Sequence, residues 1–310
     1  MKRICPITYE WTEQPHPFPY TPGGLRKLSP HLKQLQALEQ SHDDLRSLAA
    51  EQKSDHSFPG SQSKTVMTLA VKQCSFIPDA QRGRYLIKPQ DVLHERVPEN
   101  EAITLHLASV AGIETAPCGL IDTLEPSAGF ALWSRRLDRV GQGTTLPLIP
   151  FASLLPDAES VSMESMVAIL NAHTTFPMKE RAAFFQTVLF NFLVGNSGMH
   201  AGKWHLLTDA SGITRLAPRF GLRNTQLTEP GGLECSLPLG SNGHRVDKAT
   251  LLNYLGQELL GLPESFVNQS VNGLLHHSIA WKLALERSYL LPRQKFDYQL
   301  LLTERCNRLR

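Results

Sequence analysis

Residues 184–207, FFQTVLFNFLVGNSGMHAGKWHLL, constrain the fold of this chain more than any other stretch. Phe184, Val188 and Phe192 recur at helical spacing, and Gly195 follows them where a helix would end. A short polar loop then passes through Asn196 and runs into an apolar segment with the pattern of a strand. The sequence therefore predicts a helix, a polar loop and a strand in direct succession, and this loop is the candidate functional segment.

The composition is that of an ordinary globular protein. The chain has 310 residues, enough for two lobes that each bury a core, with 41% apolar and 19% charged residues. It contains no run of 18 or more apolar residues, and its N-terminus has no charged segment followed by an apolar one. The sequence thus predicts neither a membrane-spanning helix nor a secretory signal, and a cytoplasmic location is expected.

Cysteine, histidine and charge patterns argue against several classes of site. The five cysteines are scattered without a CxxC or Cys/His ligand spacing, which favours reduced thiols over disulfides or zinc. The 12 histidines are spread singly, so no metal site is expected. The net charge is only +2 and no block of Lys or Arg occurs, so direct binding to nucleic acid is not expected.

The N-terminal half is predicted to be rich in strands. Leu25, Leu28, Leu32 and Leu35 fall at helical spacing around Pro30, whereas residues 39–56 are polar and predicted to be mobile. The patterns then predict strands over residues 65–71, 84–90, 118–123 and 130–135, and a helix over residues 98–112.

The C-terminal half is predicted to be mostly helical, which makes the fold class α+β. A Gly/Pro-rich linker over residues 141–150 marks the boundary between an N-lobe, residues 1–145, and a C-lobe, residues 146–310. Strands are predicted on both sides of a turn at residues 209–212, and residues 226–245 are predicted to be a surface segment. Helices are predicted over residues 161–173, 178–195, 247–260, 263–276, 278–289 and 293–309.

The polar loop resembles the catalytic segment of the HipA/HipT family of bacterial serine/threonine kinases. In that family the loop reads Asp-x-His-x-Lys/Arg-Asn; Asn196 and His200 match, but Gly198 stands at the catalytic aspartate and Lys203 at the metal-binding asparagine. Residues 216–222, LAPRFGL, resemble the motif that carries the second metal-binding acid, and Gly221 stands at that position. The resemblance implies a two-lobed, protein-kinase-like fold whose catalytic site is degenerate.

Motifs of the N-terminal half carry the same resemblance. The nucleotide-binding positions that it implies are Gly60, Gln62 and Lys64 in a phosphate loop, Lys88 at the end of a strand with Glu99 or Glu101 as its partner, and Trp133 with its neighbours Leu132 and Ser134 in the hinge strand. Each motif alone also fits a plainer structure: a hairpin with a polar turn, surface charges, or a sheet strand that ends in a salt-bridged turn. Family members can modify themselves at positions like Ser57 or Ser61.

The string YTPGGLRKLS, residues 20–29, resembles the opening of the short HipT branch, which lacks the N-terminal subdomain of HipA. In that branch the subdomain is a separate small protein. A protein partner is therefore expected: a HipS-like small companion, an antitoxin or a related kinase.

The substitutions predict a pseudokinase of a toxin-antitoxin-type system. Gly198 offers no base, and Lys203 with Gly221 removes both side-chain metal ligands, so two negative charges are lost and one positive charge is gained. This +3 change favours ATP or another phosphate ligand bound without metal, with no role for magnesium.

Two alternatives stay open on sequence alone. The protein could be an active serine/threonine kinase toxin that uses a displaced acid, with Asp209, Asp138 or Glu229 as candidates. It could also be a purely structural protein whose cleft is filled, in which case Lys203 points to solvent.

Overall fold

A computed structural model describes residues 3–13, 19–52, 62–141, 143–155 and 161–310 of the chain. Gly60, Ser57 and Ser61 lie outside these ranges. The chain forms two compact units. The first comprises Met1–His106, Ala116–Arg136 and Leu283–Pro292, and the second comprises Leu107–Thr115, Leu137–Lys282 and Arg293–Arg310.

The strands of the described residues are, in chain order, β1 (Arg3–Ile4), β2 (Trp11–Thr12), β3 (Thr65–Ala70), β4 (Ser75–Pro78), β5 (Tyr85–Lys88), β6 (Cys118–Ile121), β7 (Ala131–Arg135), β8 (Arg139–Val140), β9 (Thr144–Thr145), β10 (Leu148–Pro150), β11 (His205–Thr208) and β12 (Thr214–Leu216). The α-helices are α1 (Pro22–Leu28), α2 (His42–Gln52), α3 (Val97–Val110), α4 (Met163–His173), α5 (Pro177–Leu193), α6 (Glu264–His276), α7 (Ser278–Glu286) and α8 (Pro292–Leu309). A π-helix covers Thr250–Leu259. This mixed α+β content confirms the predicted fold class.

An antiparallel five-stranded sheet forms the centre of the first unit, with the strand order β4-β3-β5-β7-β6. One face of this sheet packs Ile87 and Trp133 against the leucines of α1 and the segment after it. The other face packs Leu120 and Leu132 against Ala102 of α3. Because side chains alternate along a strand, consecutive residues within β5, and within β7, face opposite sides of the sheet.

The helical spacing predicted for the leucines on both sides of Pro30, with Pro30 in a first turn, is wrong for the second pair. Helix α1 ends at Leu28, and Ser29 has an extended backbone with φ −155° and ψ 139°. Proline disfavours the helical region for the residue before it, so Ser29 cannot continue the helix. Leu32 and Leu35 are nevertheless buried in the same core as Leu25, because the extended chain also directs them inward.

The prediction that residues 39–56 are mobile is also wrong for the part that the structure describes. Helix α2 buries Leu45 and Ala49, and its last residue, Gln52, exchanges two hydrogen bonds with the backbone of Val66 in β3. Two buried apolar side chains one turn apart thus suffice, with these hydrogen bonds, to fix a polar helix against β3.

The second unit is mainly helical and surrounds α5. This helix buries Phe184, Phe185 and Phe190, and a small antiparallel sheet with the order β10-β11-β12 follows the loop after it. The predicted strands around the turn at residues 209–212 are confirmed as β11 and β12. Among the described residues, no helix is both long enough and apolar enough to span a lipid bilayer.

Candidate functional site

Lys88 and Glu101 form a buried ion pair in the first unit. Lys88 Nζ lies 2.5 Å from Glu101 Oε1, and the two side chains are 8% and 3% exposed. Strand β5 places the lysine at its last position, and the first turns of α3 place the carboxylate over it. The strand-then-helix order in the sequence predicted this pairing, and the structure brings the two residues together.

Glu99, the other candidate partner, serves a different network. Its carboxylate accepts hydrogen bonds from Gln90 Nε2 at 2.8 and 3.0 Å and from the backbone N–H of Phe130, and it pairs with Arg96 at 2.9 Å. The side chain is fully buried. Glu99 thus fixes the start of α3 to the sheet, which leaves Glu101 as the partner of Lys88.

Two residues of the predicted phosphate loop lie near the same end of the sheet. Thr65 of β3 pairs with Ile87 of β5, so Lys64 and Lys88 come from adjacent ends of neighbouring strands. Gln62 Nε2 is buried, and within the described ranges no acceptor lies within hydrogen-bond distance of it. A buried amide without a partner is rare and suits a ligand oxygen.

The structure does not bring Trp133 to Lys88. Its side chain is fully buried in the core on the opposite face of the sheet, 6.1 Å from the ring of Tyr85. The backbone of β7 is paired with β5 on one side and with β6 on the other, so residues 132–134 already use their backbone groups in the sheet. A nucleotide beside Lys88 therefore gains no contact from the indole.

In the second unit, α5 ends at a turn that only glycine can form. Gly195 has φ +69°, and a Cβ there would lie 2.8 Å from Leu301 Cδ2 and 3.0 Å from Asn224 Oδ1. The next residue, Asn196, is buried and donates from Nδ2 to Asn191 Oδ1 at 3.0 Å. The turn is therefore rigid and holds the polar loop in one conformation.

Thr225 ties the polar loop to the segment that follows β12. Its hydroxyl donates to Gly195 O at 3.0 Å and lies 2.8 Å from Ser197 Oγ, and its backbone N–H also reaches Gly195 O. The buried Thr225 thus connects the loop after α5 with the segment after residues 216–222.

The two glycines at the predicted positions of the acids differ in the space around them. At Gly198 a Cβ would lie 3.2 Å from Thr225 Cγ2, a tight contact that a small shift would relieve. At Gly221 a Cβ would meet nothing within 4 Å, although φ is +68°, a conformation that Asp and Asn tolerate better than most residues. The loop backbone is therefore formed in the absence of the acids.

His200 and Lys203 bound a single 3-10 turn. His200 Nδ1 accepts a hydrogen bond from the N–H of Gly202 at 3.2 Å, and the N–H of Lys203 donates to His200 O. Desolvation of the ring, followed by the charge of Lys203, lowers the pKa of His200 below its ordinary value. The imidazole is therefore neutral at pH 7, and Lys203 is the cation of this turn.

Comparison with known families identifies the fold. The model of the HipA-like C-terminal domain matches residues 56–279, well over half of the chain. The chain belongs to the HipA-like kinase family. This confirms the predicted family.

Two curated relatives, both named as candidate kinases, are distant. The Haemophilus influenzae protein is 22% identical over 214 residues, which cover 65% of this chain and 62% of the relative. The Sinorhizobium fredii protein Y4dM is 25% identical over 157 residues, which cover 46% of this chain and 38% of the relative. The chain thus matches less than two thirds of the length of either relative.

Solved structures confirm a HipA-type, protein-kinase-like fold. HipA from a Shewanella oneidensis complex of HipA, HipB and operator DNA has a TM-score of 0.66 at 16% identity, covering 89% of this chain and 72% of that one. The Helicobacter pylori proinflammatory kinase CtkA has a TM-score of 0.55 at 13% identity, covering 72% of this chain and 86% of that one.

The three acids considered as substitutes lie in different surroundings. Asp209 Oδ1 accepts from the N–H and hydroxyl of Ser211 and from the N–H of Ile213, so it caps the turn between β11 and β12. Asp138 lies 3.8 Å from Arg139. Glu229 is exposed.

Metal does not fit the residues at the family positions. Glycine at 198 and 221 has no side-chain donor, and the ammonium group of Lys203 repels a cation. Within the described ranges, no three carboxylate, histidine or cysteine side chains are grouped as metal ligands.

Arg219 is the residue of this region that sequence reasoning missed. It is only 7% exposed, and its guanidinium carbon lies 5.5 Å from the centroid of Trp204. Burial lowers its pKa to about 9, against the opposing charges of Glu114 and Glu180. A single arginine between proline and phenylalanine gives no sequence signal, so only the fold reveals it.

Proposed function

We propose that this HipA-family protein is a pseudokinase: a kinase-fold binding protein that does not transfer phosphate and that binds a nucleotide or another phosphate ligand without metal. The observation that carries the proposal is the intact loop around Gly198 and Gly221. Thr225 holds its backbone at Gly195 and Ser197, there is open space beside Gly221, and glycine occupies both predicted acid positions. Phosphoryl transfer by this architecture needs those acids to position the nucleophile and the metal.

Retained cations support ligand binding. The ion pair between Lys88 and Glu101 is the feature that active kinases use to hold phosphates, and it is formed in this chain. Lys203 replaces a neutral metal ligand with a positive charge that can contact phosphate oxygens directly. The buried amide of Gln62 adds a donor.

A protein partner is part of the proposal. The HipA neighbour was solved with HipB and operator DNA in a toxin-antitoxin system. We propose that the present protein acts in a system of this type by binding a partner, for which a small companion protein, an antitoxin or a related kinase are the candidates. Placement of Asp209 in a turn argues against its use as a displaced catalytic acid.

Thermal unfolding with nucleotide tests the ligand. ATP or ADP should raise the Tm in EDTA about as much as in magnesium, because no acid gains from the metal. A ligand at one hundred times its Kd stabilises a protein by about 2.7 kcal/mol, which is easily measured. Lys203→Asn should reduce the shift in EDTA, whereas Lys179→Asn, at an exposed lysine of α5, should leave it unchanged.

Three outcomes would contradict parts of the proposal. A shift that requires magnesium would mean that a metal ligand exists. Intact-mass analysis that shows one added phosphate after incubation with ATP and magnesium would make the protein an active kinase. No shift with any ligand would favour the structural alternative.

A further inference from the structure

Arg219 is a buried cation whose backbone is bonded to Glu114 and whose guanidinium lies over Trp204. Its guanidinium carbon lies 5.5 Å from the centroid of the fully buried Trp204, and its backbone N–H donates to Glu114 O at 2.7 Å. Stacking on an indole fixes the plane of a guanidinium and leaves its N–H edge free to bind. The side chain is thus oriented before any ligand arrives.

The charge of Arg219 is poorly compensated within the protein. The two carboxylates whose charges reach it are engaged elsewhere: Glu114 pairs with Arg215 at 2.6 Å, and Glu180 accepts the backbone N–H of Leu216 at 3.0 Å. In the described part of the chain, neither forms an ion pair with Arg219. Burying a charge without a close partner is costly, so such residues usually have a function.

The position of Arg219 places it beside the degenerate motifs. Leu206 pairs with Leu216, and the N–H of Ala217 donates to His205 O at 2.8 Å, so Lys203 and Arg219 extend from the same end of the β11–β12 pair. Gly221 follows two residues later, with open space beside its Cα. Lys203, Arg219 and Gly221 therefore all follow or precede the same end of this strand pair along the chain.

We propose that Lys203 and Arg219 form an oxyanion site for a phosphate or pyrophosphate group, in which Arg219 orients the group. The inference rests on the proposed function and adds to it a binding residue outside the family motifs. A guanidinium binds two phosphate oxygens with fixed geometry, whereas an ammonium acts as a point charge. Phosphate fits two cations better than a carboxylate does, because it carries more charge.

Calorimetric titration with pyrophosphate in EDTA tests the site on the full chain. Arg219→Gln should raise the Kd at least about tenfold, because a charge-assisted bidentate contact is lost. Arg293→Gln removes an exposed arginine at the start of α8, and it should change the Kd less than about twofold. Equal affinity of wild type and Arg219→Gln, or no binding by wild type, would overturn the inference.

The unliganded Tm separates a binding role from a structural one. If Arg219 is an uncompensated charge kept for a ligand, Arg219→Gln should unfold at the same Tm as wild type or higher. If it is the counter-ion of Glu180, the Tm should fall while pyrophosphate affinity is kept, and the inference would be wrong. Arg219→Lys provides a second variant that keeps the charge; it should weaken pyrophosphate binding by a smaller factor than Arg219→Gln.

Titration with ATP shows whether the bound phosphate belongs to a nucleotide or to a free phosphate ligand. It also separates failure of the Lys203–Arg219 site from failure of the proposed function. Weaker binding of both ATP and pyrophosphate by Arg219→Gln supports a nucleotide ligand. Weaker binding of pyrophosphate in a protein that does not bind ATP supports the site with a free phosphate ligand and removes the nucleotide from the proposed function. ATP binding that is unaffected by Arg219→Gln overturns the site and leaves the proposed function intact.

Discussion

Lys88 and Arg219 are both buried cations, but only Lys88 has a carboxylate as a close partner, and this difference decides how a substitution affects stability. Lys88 has Glu101 at 2.5 Å, whereas Arg219 has only carboxylates that are engaged with other groups. A buried pair is strongly destabilised when one partner is removed, but an uncompensated charge can be removed without loss. The same kind of substitution should therefore have opposite effects at the two sites.

Lys88→Met should destabilise the protein by about 3–5 kcal/mol, because Glu101 would be left buried without its partner. The double variant Lys88→Met/Glu101→Gln should recover much of this loss, since it removes both charges. Urea unfolding of wild type, the two single variants and the double variant measures the coupling. A Lys88→Met variant as stable as wild type would mean that the pair is solvated in solution.

At the scale of single residues, the sequence predicted a contact correctly where the order of a strand and a helix indicates which residues meet. A lysine at a strand end, followed by acids in the first turns of a helix, was enough to predict that Lys88 would meet Glu99 or Glu101. The hinge motif did not indicate which face the Trp133 side chain occupies, because alternation along β7 decides this. Sequence reasoning also missed Arg219, whose environment depends on Trp204 and Glu114, far away in sequence.

At the element scale, Glu234 is one of the residues that anchor the segment predicted to be a Gly/Pro-rich surface stretch. Glu234 accepts from Arg308 Nη1 at 2.5 Å, pairs with Arg305 at 3.2 Å, and also accepts the N–H of Val246 at 3.1 Å. Both guanidinium groups lie over the ring of Phe192, at 4.6 and 4.9 Å, in the last turn of α5. One acid thus connects this segment to α5 and α8.

Glu234→Gln should release this segment and lower the free energy of unfolding by about 1.5–3 kcal/mol, the usual contribution of hydrogen bonds to charged groups. Burial opposes ionisation of Glu234, but the hydrogen bond and charge of the arginines outweigh it and lower its pKa. Its contribution is therefore complete above the ordinary glutamate pKa and is lost as the pH falls through the lowered value.

Hydrogen exchange between pH 3 and 7 measures this effect. Amides of residues 224–246 should lose protection in Glu234→Gln at pH 7, and in wild type only at acidic pH. Glu229→Gln changes an exposed acid in the same segment and should leave exchange unchanged. Equal protection in wild type and Glu234→Gln would show that the anchor is elsewhere.

The boundaries of elements were predictable where local chemistry decides them. Strand β3, strand β5 and helix α5 formed close to the expected ranges because their patterns are continuous. Helix α2 was missed because only three of its residues are buried, too few to stand out among polar neighbours.

At the scale of the whole molecule, family membership indicates a kinase, whereas the residues at the predicted catalytic positions do not favour phosphoryl transfer. The chain has a HipA-type kinase fold, yet the positions that the family motifs predict for the catalytic and metal-binding residues are Gly198, Lys203 and Gly221. Function follows from the site more than from the fold, so the proposed loss of phosphoryl transfer depends on these three residues and not on family membership.

Overexpression in a bacterial host should therefore cause weak growth arrest or none, because arrest by an active HipA-like kinase would require phosphoryl transfer. Growth curves of the wild type, measured with its intracellular abundance, check this. If strong arrest is seen, its cause has to be tested with variants as stable as the wild type. A variant that lacks only Lys88 is not suitable, because it should be destabilised and its abundance would fall. Arrest abolished by Lys88→Met/Glu101→Gln at unchanged abundance would identify an active kinase, because this variant lacks the phosphate-holding pair but keeps the fold. Arrest that persists in this variant would instead indicate toxicity through binding a partner, an outcome that a pseudokinase can produce.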